Sequence, residues 1–192
     1  MNKGRVEEFS DGVFSIIITI MVLEIPIPKT GDWNQLISAS FLNTFIAYLI
    51  SFVLVGSFWI SHHQILEELK TVRVGFMWLN VAALFPISLV PFATAWQGEF
   101  STPAPHFLYG AVYSATLFAL WMLSRNVNRQ IGTENKAFVR RHGVNTMRLY
   151  LVYASLVMTV LSLWIPYASS FGVIAITIAW RFIAAHQNKH KV

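Results

Sequence analysis

The 192-residue chain contains no cysteine, which excludes a disulfide and a thiolate metal site. Charge is scarce as well. Asp, Glu, Lys and Arg make up 12% of the sequence, against 55% hydrophobic residues and a mean hydropathy of +0.55. A soluble core of this size does not need so much apolar sequence. No glycine-rich phosphate loop, dinucleotide fingerprint or His-Glu-x-x-His pair is present, so no nucleotide-dependent or zinc-dependent catalytic signature exists. No nucleophile with a base partner stands out either, and the chain reads as a non-enzyme with no cofactor. Low-complexity segments and repeats of solenoid period are absent.

What the sequence does have is long apolar runs with the charges clustered between them, the pattern of an all-α protein crossing a membrane several times. Six spans are expected, at about 9–27, 36–60, 75–96, 107–123, 149–166 and 171–185, in a single transmembrane domain over 1–192. The first would be roughly 28 Å long, close to the thickness of a bilayer core. Pro26 and Pro28 should stop it, because proline lacks the N–H and clashes with the preceding turn. Pro86 and Pro91 should kink the third span. Only 167–170 join the last two spans, so a tight helical hairpin is expected there, and 124–148 reads as a loop or a helical extension. Trp33, Trp59, Trp78, Trp96, Trp164 and Trp180 lie near span ends, as interfacial anchors do.

The distribution of basic residues sets an orientation. All of the 14 Lys and Arg residues except Lys29 fall in segments on one side of this layout. By the positive-inside rule both termini and 124–148 are cytoplasmic, in accord with an even number of spans. The net charge of +5 thus has a cause in membrane orientation, and no nucleic-acid partner is implied. The N-terminus does not read as a secretory signal, since Glu7, Glu8 and Asp11 lead into the apolar run.

Two constellations carry candidate chemistry. On the first helix Gly12, Ile16, Thr19, Ile20, Leu23 and Ile27 recur at spacings of three and four and share one stripe. Such a stripe serves either as a packing face or, in a symmetric oligomer, as a stack of rings. Rings of Ile16, Ile20 and Leu23 would form a hydrophobic constriction, and a ring of Thr19 hydroxyls could help coordinate a partly dehydrated cation in transit. Glu24, near the outer end, is a carboxylate ring at the mouth or a solvated interfacial charge. The second constellation is Phe58-Trp59-Ile60-Ser61-His62-His63 at the cytoplasmic end of the second span. Adjacent histidines point about 100° apart on a helix, a poor fixed metal site. Arg5, Ser10 and Asp11 lie at a similar depth, so a polar network of Arg5, Asp11, Trp59 and one histidine could tie the first two helices together. No Thr-Val-Gly-Tyr-Gly filter, re-entrant loop or ladder of arginines accompanies these features.

Arg5-x-x-x-Phe9-Ser10-Asp11, the following Ser15-Ile16-Ile17-x-Thr19, and Trp59-x-x-His62-His63 resemble the bacterial members of the transmembrane protein 175 family of potassium-selective channels. The specific motifs lie within 5–63, while the six-span layout extends the likeness over the whole chain. The resemblance implies a homotetramer in the cell (inner) membrane, with the first helix of each subunit lining a central pore. It places a narrow point at Ile16, a threonine layer at Thr19 and lower hydrophobic positions at Ile20 and Leu23. The expected function is passive potassium permeation, with K+, lipid and further copies of the chain as partners. The alternative is a small secondary transporter or proton-coupled carrier with Asp11, His62 and His63 as a relay. Against it, no paired, broken short helices occur in two halves of the chain.

Overall fold

The computed structural model describes the backbone of residues 3–69, 71–130 and 136–189, and the side chains of these apart from 136–142 and 180–189. Expectations resting on Lys70 and Lys191, and on the side chains of Lys136, Arg140, Arg141, Trp180, Arg181 and Lys189, lie outside the described residues. All regular structure among the described residues is helical.

The first helix, α1 (Lys3–Met21), starts and stops earlier than the sequence suggests. A 3₁₀ turn, Val22–Glu24, follows it, and Ile25 is already extended at φ −74° and ψ 120°. The reason is local: a residue before proline is pushed out of the helical region, so Pro26 ends the helix through its neighbour. A second 3₁₀ turn, Trp33–Gln35, precedes α2 (Ala39–Glu67). Ser38 caps α2, its hydroxyl accepting from the Phe41 amide at 3.4 Å. The helix runs past residue 60 and carries both histidines well inside its last turns.

The proline-bearing third span is two helices, α3 (Val74–Ser88) and α4 (Val90–Glu99), broken at Leu89 between Pro86 and Pro91. Pro91 opens α4, where its missing N–H costs nothing. The helices α5 (Pro103–Arg129) and α6 (Lys136–Leu161) extend well into 124–148, which is therefore largely helical. Turns at 162–167 lead into α7 (Ala168–Lys189), so the sixth helix ends before Pro166.

With α3 and α4 taken as one span, six helical segments remain. Among the described residues, four are long and apolar enough to cross a membrane: Ala39–Glu67, Val74–Glu99, Pro103–Arg129 and Gly143–Leu161. Ala168–Ala179 is a shorter apolar helix. The first helix falls short of that standard because Lys3, Arg5, Glu7, Glu8 and Asp11 occupy its first half.

The centre of the bundle is α5, which packs on α3, α4, α6 and α7, while α1 rests on α2, α3 and α4. Phe14, Val55, Leu66, Phe76, Ile87 and Leu123 fill the interior. Three glycines set the closest approaches, Gly172 against the Met158 side chain and two against helix backbones. A Cβ at Gly98 would stand 2.9 Å from the Thr44 backbone, and one at Gly110 would stand 2.6 Å from the Thr159 hydroxyl. Small residues let helix backbones pack this tightly where no aqueous hydrophobic effect drives association. Much of the remaining apolar surface, including Ile46, Phe52, Phe85, Phe92 and Val157, faces outward. Such an exterior suits hydrocarbon, since the backbone groups are already satisfied within the helices.

Candidate functional site

The two faces of α1 have opposite fates. Val6, Ser10, Phe14, Ile17 and Met21, spaced by three and four, are buried against the bundle. Turned away from it are Gly12, Ile16, Thr19 and Ile20, all exposed. Ile16 is 58% exposed and Ile20 42%, so about half of each of these large apolar residues is left uncovered by its own chain. The Thr19 hydroxyl donates to the Ser15 and Ile16 carbonyls at 3.0 and 2.9 Å. Its proton is engaged by the helix while its oxygen lone pairs stay on the exposed face. Leu23 and Glu24 require a correction. They lie on the 3₁₀ turn after the helix, so the α-helical spacing that aligned Leu23 with Ile16 does not reach them. Both are exposed nonetheless, Leu23 by 78%.

Two polar links hold α1 to its neighbours, one at the edge of the buried face and one within it. The Trp59 indole N–H donates to Asp11 Oδ1 at 2.8 Å. Beside it a chain of bonds crosses three helices. His62 Nε2 meets Asn80 Oδ1 at 2.7 Å, Asn80 Nδ2 donates to Ser10 Oγ at 2.9 Å, and Ser10 donates to the Val6 carbonyl at 2.8 Å. With the Asn80 oxygen as acceptor, His62 carries its proton on Nε2, and the whole chain runs donor to acceptor in one direction. Ser10, His62 and Asn80 are fully buried, and the Phe14 ring lies tilted on His62 at 5.5 Å.

The remaining expected members stand at the edge. His63 stacks on Trp59 at 5.7 Å and approaches Glu67 at 3.6 Å, an ion pair when the imidazole is protonated. Arg5 and Phe9 are exposed and line a cleft with Met77 and Val81. The structure thus joins Asp11 to Trp59 and Ser10 to His62, with Arg5 at the rim of the assembly. The sequence reading missed Asn80. Its signal was present: Asn80 is the one amide in the apolar run of α3, and a lone amide in hydrocarbon demands a partner.

A family model, the endosomal/lysosomal potassium channel TMEM175, matches residues 5–91. A potassium channel of Chryseobacterium sp. (strain P1-3) is 41% identical over 123 residues, which cover 62% of this chain and 63% of that relative. A potassium channel of Chamaesiphon minutus is 30% identical over 193 residues, covering 93% of this chain and 94% of the relative. The chain belongs to the TMEM175 family. Its match to the Chryseobacterium protein spans less than two thirds of that relative's length, whereas the Chamaesiphon match runs nearly end to end. The fold agrees with a crystal structure of a lysosomal potassium-selective channel TMEM175 homolog from Chamaesiphon minutus, at a TM-score of 0.83 and 24% identity over 94% of this chain and 96% of that one. Within this TMEM175-family chain the matched segment runs from Arg5 to Pro91. It contains every member of the two polar links, Asn80 included.

Proposed function

We propose that four copies of this chain form a potassium-selective, passive channel whose pore is lined by α1. The observation that carries this reading is the exposed face of α1. Ile16, Thr19 and Ile20 face away from the subunit, while the opposite side is tied to α3 by a buried hydrogen bond and to α2 by the Trp59–Asp11 bond at its edge. Lipid can cover an apolar face, but a stripe that also carries the Thr19 hydroxyl and the bare Gly12 backbone suits a symmetry axis better than hydrocarbon. The names of the bacterial relatives add potassium as the permeant ion. In the tetramer Ile16 and Ile20 form hydrophobic rings, Leu23 extends them on the 3₁₀ turn, and Thr19 offers a ring of hydroxyl oxygens. Glu24 gathers cations at the outer mouth. Potassium holds its water less tightly than sodium does, so a narrow, weakly coordinating pore favours it. Both termini are cytoplasmic, and the membrane is the bacterial inner membrane. A proton relay through Asp11 and His62 has less support, because both groups are committed to bonds that fasten helices.

The test is ion flux from liposomes holding the purified chain. A channel dissipates a potassium gradient passively and faster than a sodium gradient, with no movement of protons in proportion. Saturable flux coupled to protons would overturn the reading in favour of a carrier.

A further inference from the structure

A different part of the molecule carries a second site. The face shared by α2 and α7 holds two adjoining cavities. One, of about 150 Å³, lies at the end of the bundle that the basic residues avoid, where α2 and α7 begin and α4 ends. Its polar wall includes Asn43, Gln97 and His106. The other, of about 310 Å³, continues along the same two helices and is lined by Leu49, Val53, Leu54, Val173 and Ile178. Ile50 and Ile174 border both, so the two form one groove with a polar end and an apolar trough.

His106 gives the polar end its meaning. It is 1% exposed, and neither ring nitrogen has a hydrogen-bond partner. The Tyr167 ring meets it in a T-shaped contact, with centroids 4.8 Å apart. A buried imidazole without partners costs about 1–3 kcal/mol for each unmet group, so a donor and an acceptor await a ligand at this wall. Gln97 already accepts from Ser170 at 3.2 Å and is held in place.

Charge and length identify the ligand class. Among the described residues no Asp, Glu, Lys or Arg lines either cavity, so a phosphate or ammonium head would be desolvated without compensation from them. An uncharged head with hydroxyl and carbonyl groups matches instead. From Asn43 to Leu54 the groove follows α2 for roughly 17 Å, at about 1.5 Å per residue. Half of the ~30 Å hydrocarbon core is about the same length. We infer that this groove binds a single-chain neutral lipid of the monoacylglycerol class, its head on His106 and its chain along α2 and α7. With the orientation proposed above, the polar end of the groove faces the outer leaflet; the rest of the inference does not rest on that orientation.

The experiment uses the full chain in liposomes with a monoacylglycerol that bears a photoactivatable diazirine at mid-chain. After illumination, mass spectrometry should place adducts on 49–54 and 173–178, displaced by unlabelled monoacylglycerol and not by lysophosphatidylcholine. His106→Leu should weaken labelling about tenfold, as the loss of one buried head-group bond predicts. Val53→Trp, which fills the trough and does not line the polar end, should abolish it, and keeps the test sound if the histidine variant fails to fold. Adducts scattered evenly over outward-facing side chains would overturn the inference. So would equal displacement by lysophosphatidylcholine, or cross-links showing that another copy of the chain covers the groove. None of these results depends on ion flux, so the channel reading stands or falls separately.

Discussion

Asn80 is the residue that decides how α1 is held. It is 1% exposed and serves Ser10 with its amide nitrogen and His62 with its oxygen. Asn80→Leu leaves the buried His62 Nε2 unmet, at about 1–3 kcal/mol, and takes from Ser10 the bond it accepts while leaving the one it donates to Val6. Trp59→Phe removes one bond to a carboxylate that is only half-buried and can turn to water. Thermal unfolding of the purified protein should therefore fall clearly further for Asn80→Leu than for Trp59→Phe; equal losses would mean that Asn80 is not the hub. The exposed face of α1 gives a prediction of the opposite kind. Ile16→Asn places a polar group where no packing is lost, so folding should be unchanged. Current in a planar bilayer should rise and discrimination between potassium and sodium should fall, because a polar ring is easier to wet. Ile17→Asn, one residue away and 5% exposed, should instead reduce the yield of folded protein. If both variants conduct like the parent, α1 does not line the pore.

Among elements, the pairing of α2 with α4 is set by the absence of a side chain. Gly98 lies where a Cβ would come within 2.9 Å of the Thr44 backbone, and Thr44 donates to the Gly98 carbonyl at 3.2 Å. Gly→Ala within a helix ordinarily gains about 0.5–1 kcal/mol. At Gly98 that gain is outweighed by backbone overlap, so Gly98→Ala should lower thermal stability and monodisperse yield. Gly12→Ala meets nothing within 4 Å and should leave subunit stability equal or slightly higher. A Gly98→Ala protein as stable as the parent would show that α2 and α4 can move apart freely. The broken third span also belongs at this scale. Two prolines five residues apart could have produced a bend anywhere between them, and packing of Ile87 and Val90 into the core fixes the break at Leu89.

For the whole molecule, the basic residues and the outward apolar surface make separate predictions. Protease added outside intact cells should leave 124–148 uncut, and cleavage there would reverse the orientation. Chemical cross-linking of the purified protein should stop at the tetramer, and Ile16→Lys should weaken that assembly, because four charges would meet at one level of the axis. A protein that stays monomeric at all concentrations would leave the exposed face of α1 to lipid alone.

The sequence by itself determined the helical class, the six-segment layout, the proline break and the side on which positive charge gathers. These follow from local properties: runs of apolar residues, missing backbone donors and charge that cannot enter hydrocarbon. It also brought Asp11 and Trp59 into view as partners, because each lies on a helix whose direction the layout fixes. It did not determine that His62 rather than His63 enters the core, that Asn80 joins it to Ser10, or that α1 ends before Leu23. Those depend on the rotation of α2 about its axis and on how α3 crosses α1. Such choices are made only when side chains from distant segments compete for the same buried volume, and only the tertiary structure decides them.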